Sequence, residues 1–122
     1  MEKNEVGRHG EDLALQYLLE KGMSPICRNW RSRSGELDLI LWDGAQLVFV
    51  EVKSRLLSPE SDRHLFDNID SRKQHKLRSL ANLFLRCKFR GRYPRYRIDL
   101  VGVTIERETR KLLEIRHLKG QL

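Results

Sequence analysis

The sequence predicts an α/β fold with a mixed sheet covered by helices on both faces, and three observations support this class. Apolar residues recur at helical spacing in residues 6–21 and again in residues 71–89. Between them, residues 35–42 and 46–53 are short apolar segments separated by a turn signal. Both segments are apolar on both faces, so each side of the sheet needs a helical layer.

The elements are predicted in the order α-β-β-β-α-β-β, within one domain spanning residues 1–122. The first helix has Asn4 as a candidate N-cap and Gly22 as its stop signal. The second carries a stripe of Lys73, Leu77, Leu80, Phe84 and Cys87. The other predicted elements are strands at 23–31, 96–105 and 112–118 and a mobile loop at 56–70.

The two apolar segments form a predicted hairpin, and its turn fixes which charged residues meet. A turn at Gly44-Ala45 places Asp38 opposite Glu51, whereas a turn at Asp43-Gly44 places them diagonally on the same face. Lys53 points the same way as Glu51, because side chains alternate along a strand. On the first strand we expect one face to carry Leu37, Leu39 and Leu41 and the other Ile40 and Trp42.

The charge balance favours a nucleic-acid partner. The chain has 24 Lys and Arg against 17 Asp and Glu, a formal charge of +7 over 122 residues. No apolar run approaches the roughly 18 residues that a membrane span requires, so no membrane partner is expected. The first residues lack the apolar core of a signal peptide, and Cys27 and Cys87 are interpreted as reduced core thiols of a cytoplasmic protein.

The first candidate site consists of Asp38, Glu51 and Lys53. Carboxylate oxygens suit Mg²⁺, which completes its shell with water and substrate phosphate, and a lysine beside it can orient water or stabilise developing charge. The alternative is a Glu36–Lys53 ion pair with Asp38 and Glu51 at a solvated strand end. Glu11, at the edge of the first helix's apolar stripe, is either a further candidate site residue or an acid favoured by the helix dipole.

The start of the second helix is the second candidate site, this time for phosphate. Helix N-termini and basic groups both attract phosphate. Five potentially cationic side chains stand at the start of this helix, namely Arg72, Lys73, His75, Lys76 and Arg78. Lys73 either extends along apolar surface or points into a site at the end of the sheet. A solvated helix face is the alternative for the group.

A wider basic spread, with Trp30, Tyr93 and Tyr96 interleaved, could follow a nucleic-acid backbone or simply be solvated. It comprises Arg28, Arg31, Arg33, Arg86, Lys88, Arg90, Arg92, Arg95 and Arg97. The residues predicted to contact nucleic acid are Arg31, Arg33, Arg55, Arg72, Lys73, His75 and Lys76. Asp99, an acid within an apolar strand, is interpreted as a structural partner of an arginine.

Six segments together resemble the YraN family of bacterial proteins, which is similar to the PD-(D/E)XK nuclease superfamily and to archaeal Holliday junction resolvases. They are Gly7-x-x-Gly10-Glu11-x-x-Ala14, Asn29-x-Arg31, Gly35-Glu36-Leu37-Asp38-Leu39-Ile40, Val48-Phe49-Val50-Glu51-Val52-Lys53-x-Arg55, Lys73-Gln74-His75-Lys76-Leu77 and Arg97-Ile98-Asp99-Leu100-Val101. One position departs from the superfamily pattern, because Leu37 stands where its name places proline.

The resemblance implies a restriction-endonuclease-like α/β/α core and a nuclease that uses Mg²⁺ or Mn²⁺ to cut DNA, with branched or single-stranded DNA as candidate substrates. It implies metal ligands at Glu11, Asp38, Glu51 and the Val52 carbonyl, with Lys53 as a catalytic residue and Lys73 or Gln74 as an auxiliary one. A homodimer would suit a symmetric junction. The alternatives are a nucleic-acid-binding module without catalysis, or an adaptor protein.

Overall fold

The computed structural model describes residues 3–57 and 71–120, with only the backbone of Lys3. The elements follow the predicted order and are α1 (Lys3–Glu20), β1 (Ser24–Ser32), β2 (Gly35–Asp43), β3 (Gln46–Leu57), α2 (Ser71–Lys88), β4 (Tyr96–Glu106) and β5 (Leu112–Leu118). Most of the predicted 56–70 loop lies outside the described residues, but Leu56 and Leu57 belong to β3.

The five strands form one mixed sheet in the order β1-β2-β3-β4-β5. β3 and β4 run parallel, and every other neighbouring pair is antiparallel. A parallel pair needs a crossover connection, and α2 lies in the segment between these two strands. The predicted α/β class and element order are confirmed.

Each face of the sheet has its own apolar core. The α1-side core buries Ala14 and Leu18 of the helix against strand residues such as Val48, Val101 and Ile105. The α2-side core buries the helix residues Leu77, Leu80, Ala81, Phe84 and Leu85. Cys87, predicted in this stripe, is exposed, since the spacing of Leu77, Ala81 and Leu85 carries the buried stripe away from it. Cys27 is half-buried.

The hairpin turn is Gly44-Ala45, the first of the two predicted registers. Gly44 has φ 61°, the left-handed conformation that glycine adopts without steric cost. The ladder pairs Asp43 with Gln46, Trp42 with Leu47 and Ile40 with Phe49. The apolar side chains of β3 therefore face the two cores as predicted.

β1 and β2 share a kink at Asn29 and Asp38. Cys27 and Trp30 both pack on the α2-side core although they are three residues apart, and so do Leu37 and Ile40. Regular strands place such residues on opposite faces. The alternation therefore resets once in each strand, at the neighbouring positions where Asn29 adopts φ 55°. The prediction that Leu37 shares a face with Leu39 and Leu41 was wrong for this reason.

At the other end of the sheet, buried Asp99 ties β4 to the segment after β5. Its carboxylate accepts hydrogen bonds from Arg97 Nε at 3.0 Å and from the Gly120 backbone N–H at 2.8 Å. His117 Nε2 lies 2.8 Å from its second oxygen. Arg97 also contacts Asp43 at 2.9 Å. Asp99 is therefore the structural partner of an arginine, as the sequence interpretation stated.

Gly10 lets α1 approach β3 closely. A Cβ atom built at this buried position would lie 2.6 Å from Ser54 Cβ and would also overlap Ser54 Oγ. Such a distance essentially never occurs between real side chains. The missing side chain therefore sets the spacing between the helix that carries Glu11 and the strand that carries Glu51.

We expect Gly10→Ala to lower the free energy of unfolding by about 1–3 kcal/mol, because the new methyl group overpacks the contact with Ser54. Urea denaturation of Gly10→Ala, Ser54→Gly and the double variant Gly10→Ala/Ser54→Gly measures these changes in the free energy of unfolding. The second substitution removes both overlapping atoms, so the double variant should be more stable than the sum of the two single changes predicts. Additive effects would show that α1 accommodates the methyl group by shifting.

Candidate active site

A cleft of about 600 Å³ lies between α1, the end of β3 and the turn after β4. Its lining includes Gly7, Glu11, Asp38, Glu51, Val52 and Arg107. The four residues predicted as metal ligands, Glu11, Asp38, Glu51 and Val52, thus line one cleft. Three of these four supply carboxylates, and the chain has brought them together from α1, β2 and β3.

Asp38 and Glu51 meet where β2 and β3 part. The ladder between the strands ends at the pair Leu39–Val50, one residue before the predicted Asp38–Glu51 pair. Beyond it, the Val52 N–H donates to Asp38 Oδ2 at 2.8 Å. The Asp38 carboxylate takes the place of a strand carbonyl there. The two acids are therefore neighbours as the register predicts, although through a strand opening rather than a continued ladder.

Two lysines act electrostatically on Glu51. Lys73 Nζ is 3.4 Å from Glu51 Oε1, so this lysine points toward the end of the sheet, one of its two predicted orientations. Lys53 is exposed, and its charge lowers the pKa of Glu51 against the opposing effect of burial. Gln74, the other auxiliary candidate, is half-buried beside Lys73 on α2.

The pKa values of both central acids are raised. Burial and then the charge of Glu51 raise the pKa of Asp38 to about 7, despite the hydrogen bond from Val52. Burial also raises the pKa of Glu51, and the nearby Lys73 opposes that rise. Crowded, poorly solvated carboxylates of this kind favour a proton or a cation between them. At Asp38, repulsion from Glu51 therefore adds to the cost of burial.

A second group of acids adjoins Asp38. Carboxylate oxygens of Glu11, Glu36 and Asp38 lie within 4.8 Å of one another. When the side-chain amide of Asn29 is oriented with its nitrogen toward these acids, that nitrogen lies 2.9 Å from Glu36 Oε1 and 3.2 Å from Glu11 Oε1. Arg28 Nε is 3.5 Å from Glu11 Oε1. The strand kink therefore brings Asn29 and Asp38 to the same acidic centre.

Sequence reasoning did not assign Asn29 and Glu36 to the site, although both stand in the segments that carried the family resemblance. Glu36 was considered only as a partner of Lys53, but in the structure it pairs with Arg31 at 2.9 Å. No sequence signal indicated Arg107. It lines the same cleft as Glu11 although the two residues are far apart in the sequence. Its place depends on the parallel pairing of β3 with β4, which brings the turn after β4 beside Leu57.

Among the residues predicted to contact nucleic acid, Arg31 pairs with Glu36 and Lys73 with Glu51, as described above. Arg33, Arg72, His75 and Lys76 are exposed around the start of α2 and the β1–β2 turn. Lys76 Cε would lie 3.0 Å from a Cβ built on Gly35, so this turn and the helix are neighbours. Arg55, by contrast, is half-buried, and its Nε donates to Thr104 Oγ1 at 3.5 Å.

Three arginines of the wider basic spread contact acids, and the Arg31–Glu36 pair is described above. Arg97 is only 15% exposed in its contacts with Asp99 and Asp43. Arg28 Nη1 is 2.6 Å from Asp12 Oδ1. Arg97 therefore has a structural role and was wrongly included among the residues of the spread that could follow a backbone.

Comparison with known sequences places the chain in a family. The profile of the uncharacterised protein family UPF0102 matches residues 10–103. The chain belongs to this family. The resemblance to YraN proteins is thus confirmed.

The UPF0102 relatives match most of the chain. A UPF0102 protein of Stutzerimonas stutzeri is 40% identical over 95% of both chains. Another from Streptomyces griseus is 44% identical over 94% of this chain and 93% of its own. A third from Rhodococcus jostii is 46% identical over 82% of each. Among the described residues, neither helix is long and apolar enough to span a membrane.

Two buried acids give opposite predictions for stability against pH. Asp38 has a raised pKa of about 7, so the folded state holds a proton that the unfolded state loses near pH 4. Metal-free protein should therefore lose stability from pH 4 to 7. Asp38→Asn should raise the free energy of unfolding by about 1–3 kcal/mol at pH 8, and the gain should vanish near pH 4.

Asp99→Asn is the matched comparison. Burial opposes ionisation of Asp99, but bonds from His117, Arg97 and the Gly120 N–H hold its pKa below the usual value. Its stabilising effect is present above pH 4 and is lost as the pH falls through the lowered pKa. Asp99→Asn should cost about 3 kcal/mol at pH 7. Thermal unfolding in EDTA from pH 4 to 8 checks both variants, and destabilisation by Asp38→Asn at pH 8 would contradict the assignment.

Proposed function

We propose that this UPF0102 protein is a metal-dependent nuclease that hydrolyses phosphodiester bonds in DNA. The observation that carries the proposal is the crowding of Glu11, Asp38 and Glu51 in one cleft, with Lys73 3.4 Å from Glu51. Acids raised in pKa by burial and mutual repulsion gain most from a bound cation. A structural role alone would not favour such an arrangement, because it costs folding stability.

The oxygen donor set fits Mg²⁺ or Mn²⁺. Carboxylates from Asp38 and Glu51 and the backbone carbonyl of Val52 are hard ligands of the kind that these ions take, leaving positions for water and phosphate. Glu11 assists from α1. A cation bound there would polarise the scissile phosphate and make bound water more acidic. The Val52 N–H holds one oxygen of Asp38 and so orients its carboxylate.

Protein cations have separate roles beside that centre. Lys53, whose charge lowers the pKa of Glu51, would orient the attacking water or stabilise charge on the phosphate. Lys73 holds Glu51 in position, and Gln74 follows it on the same helix. Arg33, Arg72, His75 and Lys76 offer an exposed basic surface that attracts the nucleic-acid backbone.

The nuclease assay uses labelled four-way junction, flap, single-stranded and duplex DNA, and single-stranded RNA, with Mg²⁺, Mn²⁺ or EDTA. We expect metal-dependent cleavage of at least one DNA substrate. Asp38→Asn and Glu51→Gln should each lower the rate by about 100-fold or more, as lost electrostatic stabilisation does elsewhere. Glu20→Gln, an exposed acid at the far end of α1, is the matched control and should keep full activity.

Two results would count against the nuclease. Equal cleavage by Glu51→Gln and the unaltered protein would show a contaminant or another site. Salt-dependent DNA binding without cleavage under any metal would favour the alternative, a binding module that keeps a nuclease-like fold.

Metal affinity gives an independent test, because a proton on Asp38 competes with the cation. With a pKa of about 7 for Asp38, Mg²⁺ affinity should be about tenfold weaker at pH 6 than at pH 8. Isothermal titration calorimetry at both pH values measures the change. Asp38→Asn should bind more weakly and lose most of this pH dependence. A pH-independent affinity in the unaltered protein would mean that the ion does not displace that proton.

A further inference from the structure

A second cleft of about 420 Å³ adjoins the acidic one. The two share Gly7 and Glu11, and the second extends past Arg8 and Arg31 toward the β1 side. Glu51 and Glu11 are recessed, with 12% and 17% of their side chains exposed. The two clefts therefore meet on α1 at Gly7 and Glu11.

Packing does not account for a glycine at position 7. Glycine within a helix costs roughly 0.5–1 kcal/mol relative to alanine. Gly10, one turn later, offsets that cost by making room for Ser54. A Cβ built on Gly7, however, meets no atom of the described residues within 4 Å. The side chain that is missing from Gly7 would instead stand between the two clefts.

Basic residues stand at both ends of the joined clefts. Exposed Arg8 stands at one end, where Arg31 pairs with Glu36, and exposed Arg107 lines the other end. The turn that carries Arg107 is held in place, because the backbone N–H of Arg107 donates to the Leu57 carbonyl at 3.0 Å. His9 Nε2, on α1, lies 2.9 Å from the Arg110 carbonyl and joins the turn to the helix. Glu11, Asp38 and Glu51 thus lie between Arg8 and Arg107.

We propose that the two clefts are one groove for an unpaired nucleic-acid strand, which crosses α1 over Gly7. This inference rests on the proposed function and names its substrate class. Arg107 and Arg8 contact phosphates on either side of the acidic centre, and the bare backbone at Gly7 leaves room for the strand between them. The groove is walled by α1 and by the joined turn, so a strand without its complement can follow the recessed floor.

Binding without turnover tests the groove. Fluorescence anisotropy with a labelled 20-nucleotide single strand and the matching duplex, in Ca²⁺ in place of Mg²⁺, gives affinities, and a gel confirms intact oligonucleotide. Gly7→Leu should weaken single-strand binding at least tenfold without lowering the melting temperature, because leucine is a good helix former. Gln16→Leu places the same side chain on an exposed part of α1 and should bind normally.

If Gly7→Leu does not fold, Arg107→Gln tests the proposed groove. It should weaken single-strand binding severalfold and reduce the slope of log affinity against log salt by about one. Arg116→Gln, an exposed arginine of β5, is its control. Folded Gly7→Leu with unchanged affinity, or tighter binding of duplex than of single strand, would overturn the groove. These binding measurements need no cleavage. A failure of the groove proposal can therefore be distinguished from a failure of the nuclease proposal.

Discussion

The kink that β1 and β2 share at Asn29 and Asp38 determines where the chemistry of this molecule lies. By resetting the alternation of side chains, it sends Leu37 and Trp30 into the α2-side core and frees Asp38 to face α1. The opening of β2 from β3 follows at once, and the Asp38 carboxylate then accepts the Val52 N–H that a regular ladder would use. Without the kink, Asp38 would face α2, away from Glu11.

The two ends of the sheet treat buried acids in opposite ways. Asp99 has arginine, histidine and backbone donors around it, and its pKa is lowered in spite of burial. Asp38 has one backbone donor and three acidic neighbours, and its pKa rises to about 7. The first arrangement contributes to stability, whereas the second opposes it. Among the described residues, the fold therefore leaves crowded acids in one cleft and surrounds Asp99 with donors at the other end of the sheet.

Sequence reasoning succeeded where information is local. Helical spacing and the apolar strand segments predicted the element order, and the Gly44 turn predicted that Asp38 and Glu51 are neighbours. It failed at Asn29, where one backbone angle changes the alternation of side chains, and Leu37 was therefore assigned to the wrong face. It also failed for Cys87, because tertiary packing decides which side chains are exposed. Arg107 was out of reach because its position depends on strand pairing across some fifty residues of sequence, from Leu57 to Glu106. Placing Lys73 required the docking of α2.

The parallel pairing of β3 with β4 also has a consequence for biosynthesis. Its register runs from Leu47–Tyr96 to Leu57–Glu106, so the cleft gains its last wall only when the turn after β4 joins the sheet. Such long-range contacts form slowly, because the intervening chain must first be ordered. A nascent chain that has emerged from the ribosome only as far as α2 already carries Glu11, Asp38 and Glu51, yet lacks β4 to organise them. The cleft around these acids can therefore form only after β4 and the turn that follows it have been synthesised.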